Sequence, residues 1–398
     1  MVVHRFAAPH AWPAPLAPMP KLLYFISEDW FFCSHFMDRA KAAQQAGYEV
    51  VVLARRGTQQ EALRNAGIRL IALRMRRSST NPLRELAVLW QVWRVYRAER
   101  PDLLHHVALK PILYGSLVAR SLGLRAVVNA PVGMGYVFTA RGRRSSLLRV
   151  VVRLALRALL NPPGSRVVFE NEEDLAGSVQ SDSVRRSDAV LIRGAGVDID
   201  VFAPAETPAG TPVIVLGARM LRDKGVVEFV DAARLLHIRG LAVRCVLVGV
   251  PDPDNPSSLT SAQLAQWQKE GVVECWGYRS DMAEVLRNCH IACLPSYREG
   301  LPKFLLEAMA CGLPVVSTDV PGCRQAVQPG RTGLLVPAKD GAELATALQR
   351  LLQDPHERTR MGQAGRRWAV EAFSSGSIIA QTLALYRSVA EAAVRRRM

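Results

Sequence analysis

Short apolar runs of strand length alternate with helix-period stripes along almost the whole chain. In the first half, Lys21–Ile26, Glu49–Ala54, Ile68–Leu73, Leu103–Val107, Ala126–Asn129, Arg166–Glu170 and Ala189–Ile192 read as strands. Parallel strands covered on both faces are apolar throughout, so continuous runs rather than strict alternation are expected. Helical periodicity fills the gaps at Phe36–Ala46, Gln60–Ala66, Leu83–Glu99, Ile112–Leu122, Arg143–Leu160 and Glu172–Val179. The second half repeats the rhythm with strands ending at Gly217, then Arg244–Val248, Val272–Trp276, Ile291–Leu294, Pro314–Ser317 and Gly333–Val336. Such alternation predicts an α/β fold of doubly wound parallel sheets, and there is enough of it for two.

At 398 residues the chain is also too long for one ordinary core. A loop rich in Pro, Thr and Gly up to Thr211 separates the halves. The expected division is a disordered extension over 1–20, domains over 21–205 and 206–375, and a terminal helix over 376–398.

Composition adds limits. With 49% apolar and 22% charged residues the chain reads as globular. It has no uninterrupted apolar run of the roughly 18 residues that a membrane-spanning helix needs. The seven cysteines include no C-x-x-C pair, so neither structural zinc nor a disulfide framework is expected, and a reducing cytoplasm fits best. Charge is unevenly placed: residues 51–160 hold 20 Lys and Arg against 4 Asp and Glu, which accounts for the whole net charge of +16.

Arg149, Arg153 and Arg157 recur on one stripe of the Arg143–Leu160 helix, opposite Leu147, Leu148, Val151 and Leu154. A basic amphipathic helix of this kind points to an anionic membrane surface as partner, at the inner face of the cytoplasmic membrane. Nucleic acid would answer the same charge. No interleaved-aromatic binding motif accompanies it, so nucleic-acid binding is the weaker reading.

The candidate chemistry lies in the second half. Glu299 and Glu307, with seven residues between them, bracket a helix start after Pro302 and precede the strand at Pro314–Ser317. Arg219 and Lys224 follow the strand that ends at Gly217. Ligands of open parallel sheets bind outside the strands' carboxyl ends. There an arginine fork, a lysine and a helix N-terminus all suit phosphate, while carboxylates accept hydrogen bonds from paired hydroxyls. The set describes a nucleotide-sugar site with neither a Walker loop nor an acidic metal cluster.

The stretch Arg298-Glu-Gly-Leu-Pro-Lys-Phe-Leu-Leu-Glu-Ala-Met-Ala-Cys-Gly-Leu-Pro-Val-Val316 resembles the E-x7-E signature of family 4 retaining glycosyltransferases. Gly217-Ala-Arg-Met-Leu-Arg-Asp-Lys-Gly225 looks like that family's phosphate-gripping loop. The resemblance implies a GT-B fold: two Rossmann-like domains facing across a cleft, with the last helix crossing back to the first. It also implies that Arg219 and Lys224 bind a donor diphosphate, Glu307 the ribose and Glu299 the transferred sugar. Gly217, Gly300 and the backbone of Leu301, Pro302 and Lys303 would complete the donor side.

Asp29-Trp-Phe-Phe-Cys-Ser-His35, Lys110-Pro-Ile-Leu-Tyr-Gly115 and Gly133-Met-Gly-Tyr-Val-Phe138 resemble bacterial members that extend sugars on undecaprenyl-diphosphate carriers. They bring Gly135 to the donor side and imply a polyprenyl-diphosphate-linked saccharide acceptor. The implied products are surface glycans: capsule, O-antigen or glycoprotein glycan. Retention of configuration by front-face attack is implied, with no metal and no cofactor.

Two departures from the pattern are visible. Ser27-Glu-Asp-Trp30 replaces the family's double-glycine loop, and Val107 stands where a histidine is usual. His105 and His106 are therefore the candidates for the histidine contact across the cleft, with His35 a further possibility. A nucleotide-sugar epimerase of the same architecture is the alternative activity.

Overall fold

The structure is a computed structural model that describes residues 19–132 and 154–395, apart from Ser78 and Thr80. Two parallel sheets carry it. Seven strands form the first: β1 (Lys21–Glu28), β2 (Glu49–Arg55), β3 (Arg69–Ala72), β4 (Leu103–Val107), β5 (Val127–Ala130), β6 (Arg166–Phe169) and β7 (Ala189–Leu191). The second holds β8 (Val213–Gly217), β9 (Arg244–Val248), β10 (Glu274–Gly277), β11 (Ile291–Leu294), β12 (Val315–Thr318) and β13 (Gly333–Val336). The spatial orders are 3-2-1-4-5-6-7 and 10-9-8-11-12-13.

Each sheet therefore reverses direction once, between β1 and β4 and between β8 and β11. At such a switch point the flanking loops part and leave a crevice at the strands' carboxyl ends. The thirteen strands of the described residues lie where the apolar runs place them, and for the central ones the reason is that a buried parallel strand has no solvent face on which polarity could interrupt the run.

Two apolar layers cover the first sheet. Leu23, Phe25, Val51 and Leu53 pack with Val88, Val92 and Tyr96 of the helix Pro82–Glu99. Leu22, Tyr24 and Val50 pack with Ile378, Leu385, Tyr386 and Val389. Those last four belong to the terminal helix Ser375–Arg395, so the chain's end completes the core of its beginning. The two crossings run side by side: Val197 N–H donates to Phe373 O at 2.8 Å, and Ser375 N–H to Val197 O at 2.9 Å. Gly196, at φ +74°, admits this approach; a Cβ there would sit 2.9 Å from Ser375 Cα.

Where the family's double-glycine loop would be, β1 runs straight into a helix, Asp29–His35. Its first residue explains the substitution. Asp29 Oδ2 accepts the N–H groups of Gly57 at 2.7 Å and Gln59 at 3.2 Å, tying the β1 turn to the loop after β2. An acidic residue in the first turn also favours the helix dipole. Among the described residues, no helix is long and apolar enough to cross a membrane. Most of the expected basic helix Arg143–Leu160 lies outside the described residues. In its described remainder, 154–159 are helical, with Leu156 buried and Leu154 exposed.

Candidate active site

Both loops that flank the β8/β11 switch point carry the expected charges, and the fold brings them together. Past β8, Arg219 and the turn Arg222–Lys224 precede the helix Val226–Ile238. Past β11, Ser296 to Pro302 precede the helix Lys303–Ala310. Lys224 Nζ reaches Glu299 Oε1 at 2.5 Å, and Ser296 Oγ donates to the same oxygen at 2.6 Å. Gly225 makes the pairing possible. It sits at φ +71°, and a Cβ on it would lie 2.0 Å from Pro295 O. Gly225→Ala should lower stability by about 3 kcal/mol or more, through left-handed strain plus a backbone clash. A thermal melt within 1 °C of wild type would refute that packing role.

The helix Lys303–Ala310 has no side-chain cap; Pro302 precedes it in an extended conformation. Gly217 lets it seat against β8, since a Cβ there would meet the Phe304 ring at 2.4 Å. One turn in, Glu307 is 9% exposed. Burial raises its carboxyl above the usual range, while Lys303, 3.4 Å away, pulls it back down. Gly322 holds the opposite side of the Glu299–Gly300 loop, where a Cβ would lie 2.4 Å from Gly300 O.

Arg219 lies over the Trp30 ring, 5.4 Å from its centroid, and pairs with Asp252 at 2.5 Å. Asp252 is shared with Arg77 at 3.0 Å, and Arg77 pairs with Glu28 at 3.0 Å. Burial works to raise the Asp252 carboxyl, but Arg219 and Arg77 outweigh it and hold it low. Trp30, Arg77 and Glu28 come from the first domain, so Arg219 sits in a charged seam between the two. Sequence reasoning missed Asp252, Arg77 and Glu28. Nothing in the linear pattern marks a loop aspartate after β9 as the neighbour of an arginine after β8.

His105 and His106 do not reach this cleft, which corrects the expectation placed on them. On strand β4 adjacent residues face opposite ways. His105 is 2% exposed beneath the terminal helix, with Nδ1 and Tyr386 Oη 2.6 Å apart. His106 is wholly buried on the other face, between Tyr96 Oη at 2.9 Å and Asn129 Oδ1 at 2.8 Å. Val107 is likewise in the core. Gly135 lies outside the described residues.

The histidine that does reach the cleft is His35, at the end of the helix Asp29–His35. Its ring stacks on Phe31 at 4.2 Å, and its Nδ1 is buried with no hydrogen-bond partner among the described residues. Burial, then the charges of Lys303, Arg39 and Lys224, depress it to about 3, so it is neutral at pH 7. Lys303 Nζ donates to the neighbouring Ser34 O at 2.9 Å across the cleft.

Two family models cover both halves of the chain. The one described as "Glycosyl transferase 4-like" matches residues 21–161, and the one described as "Glycosyl transferases group 1" matches residues 211–354. The chain belongs to these glycosyltransferases. Campylobacter jejuni N,N'-diacetylbacillosaminyl-diphospho-undecaprenol alpha-1,3-N-acetylgalactosaminyltransferase is 27% identical over 92% of this chain and 98% of its own length. Thermosynechococcus elongatus sucrose-phosphate synthase superposes with TM-score 0.74 at 20% identity, over 93% of this chain and 99% of the other. The Anabaena Alr3699/HepE structure, in complex with UDP and glucose, gives TM-score 0.74 at 20% identity over 93% and 100%. The glycosyltransferase thus has the GT-B fold.

Proposed function

We propose that this glycosyltransferase moves a sugar, with retention, from a UDP-sugar to a polyprenyl-diphosphate-linked saccharide in the synthesis of a bacterial surface glycan. The observation that carries the reading is the Lys224–Glu299–Ser296 cluster at the switch point of the second sheet, beside an uncapped helix start. Lys224 and Arg219 neutralise the diphosphate as it leaves, the charge that grows toward the transition state. Glu299 orients the sugar, the backbone from Gly300 to Lys303 contacts both sugar and phosphate, and Glu307 accepts the ribose hydroxyls.

The acceptor hydroxyl attacks the anomeric carbon from the face that the diphosphate leaves. As the new C–O bond forms and the old one breaks, its proton passes to the departing phosphate oxygen. Arg219 must exchange Asp252 for the donor, and Trp30 beneath it keeps the guanidinium in place while it does so.

The name of the Campylobacter relative supports a lipid-linked acceptor, and the UDP and glucose of the Anabaena structure support a UDP-sugar donor. An exposed apolar stripe supports work at a lipid surface. Leu83, Leu86 and Trp90 stand 76%, 60% and 56% exposed on the helix Pro82–Glu99, with Arg94 stacked 4.7 Å over Trp90. Together with the basic excess of residues 51–160, this favours peripheral contact with the anionic inner leaflet.

The test is UDP release from a panel of UDP-sugars with and without a polyprenyl-diphosphate saccharide. Release that requires the acceptor is expected. Conversion of the nucleotide-sugar without any acceptor would replace this reading with an epimerase.

A further inference from the structure

Glu170 follows β6, and in the sequence it is only the last residue of an apolar strand. In the fold it is the first-domain group that closes on the sugar loop of the second domain. A Cβ on Gly300 would lie 2.2 Å from Glu170 Oε2, so the carboxyl occupies the space that only glycine leaves open. Next to it, Asn171 Nδ2 donates to Gly300 O at 2.9 Å and pins the loop. The Leu301 amide follows directly in the same loop and acts to lower the Glu170 carboxyl. Gly300 and Leu301 belong to the backbone run assigned above to the donor, so the carboxylate and the donor's anionic end meet at the same loop.

We infer that Glu170 takes up a proton when the diphosphate of the donor binds, and that this coupling sets the pH dependence of donor affinity. The inference rests on the proposed donor site. An ionised carboxylate against Gly300 opposes an arriving diphosphate by repulsion. A protonated one removes that repulsion and can itself donate to an oxygen of the ligand.

The groups around Glu170 leave it poised for that exchange. Burial in the seam raises its carboxyl, Glu299 and Asp174 add to the rise, and Arg39 and the Leu301 N–H oppose it. The balance stands at about 7. These neighbours have partners of their own. Glu299 is held by Lys224, Asp174 by Arg298 at 3.3 Å, and Arg39 donates to Gly194 O. An added diphosphate raises the Glu170 carboxyl further, and the proton comes from solvent.

The experiment titrates the full chain with UDP by calorimetry at pH 7.5, in two buffers of different ionisation enthalpy, and repeats the binding from pH 6 to 8.5. For the wild type, roughly half a proton or more should be taken up per UDP at pH 7.5. Affinity relative to Glu170→Gln should fall toward tenfold per pH unit above about 7. Glu170→Gln should bind UDP with no uptake at that site and a correspondingly flatter profile; its binding also reports that it folds.

Equal proton uptake and equal pH slopes in the two proteins would overturn the coupling while leaving the donor site intact. Absence of UDP binding to the wild type would overturn both this inference and the donor reading beneath it.

Discussion

Replacing Lys224 with alanine lowers kcat/KM for sugar transfer by about 10²- to 10³-fold. The range follows from the loss of one preorganised electrostatic contact to a developing charge, and two features push this case to its upper end. Lys224 serves the leaving diphosphate, and in the same position it neutralises Glu299 at 2.5 Å. Without the lysine, the Ser296 hydroxyl at 2.6 Å is the near partner left to Glu299 among the described residues. Glu170 already feels the charge of Glu299. The uncompensated negative charge then sits where the donor's own diphosphate must come.

Lys224→Arg should recover little. A planar fork cannot replace a compact ammonium in a pocket that Gly225 packs against the Pro295 carbonyl. The check is steady-state kinetics on the donor, with kcat and KM resolved and the melting temperature measured alongside. A loss under fivefold, with folding intact, would remove Lys224 from the chemistry.

The sequence carried the architecture well, and the reason is physical. Continuous apolar runs of strand length suit parallel strands covered on both faces, and their alternation with helices favours parallel crossovers. The second-domain site was legible for a related reason. Arg219, Lys224, Glu299 and Glu307 sit within two short segments, each fixed by its own strand–loop–helix turn, so their chemistry and their place were read together.

The first-domain side was not legible in the same way. His105 and His106 have the right chemistry at the right strand. Whether a β4 side chain looks into the cleft or under a helix depends on Tyr386, which lies 281 residues away from His105 in the chain. His35 and Glu170 carry the opposite lesson. Each lies at the end of an ordinary element, and each is shifted first by burial and then by charges of the other domain: Lys303 and Lys224 for His35, and Glu299 for Glu170. Local patterns hold no record of such neighbours.

Acid should unfold the first domain well before its carboxylates alone would. Three of its histidines are held neutral by burial: His35 at about 3, His106 at about 4 and His105 well below its ordinary value. In the unfolded chain each titrates near 6.5. Below that pH the unfolded state binds more protons at these sites, so stability is lost as pH falls. Glu170 works in the opposite sense. Its carboxyl, raised to about 7, is protonated in the folded state before the unfolded chain protonates it, which gives back about one proton between pH 7 and 4.5. Glu28, whose carboxyl burial also raises, works in the same sense.

Each histidine is half protonated in the unfolded chain at pH 6.5 and almost fully at pH 5, so the three, less the share of Glu170, cost about 3 kcal/mol over that interval. For a domain of this size that corresponds to a fall of about 10 °C in melting temperature. His106→Asn supplies the control. It should melt lower than wild type at pH 7, because Tyr96 and Asn129 lose a partner. Its further fall between pH 7 and 5 should be smaller by about one proton's share. If the two proteins lose the same number of degrees over that interval, His106 is not held neutral by its surroundings, and the account of the first domain's acid sensitivity fails.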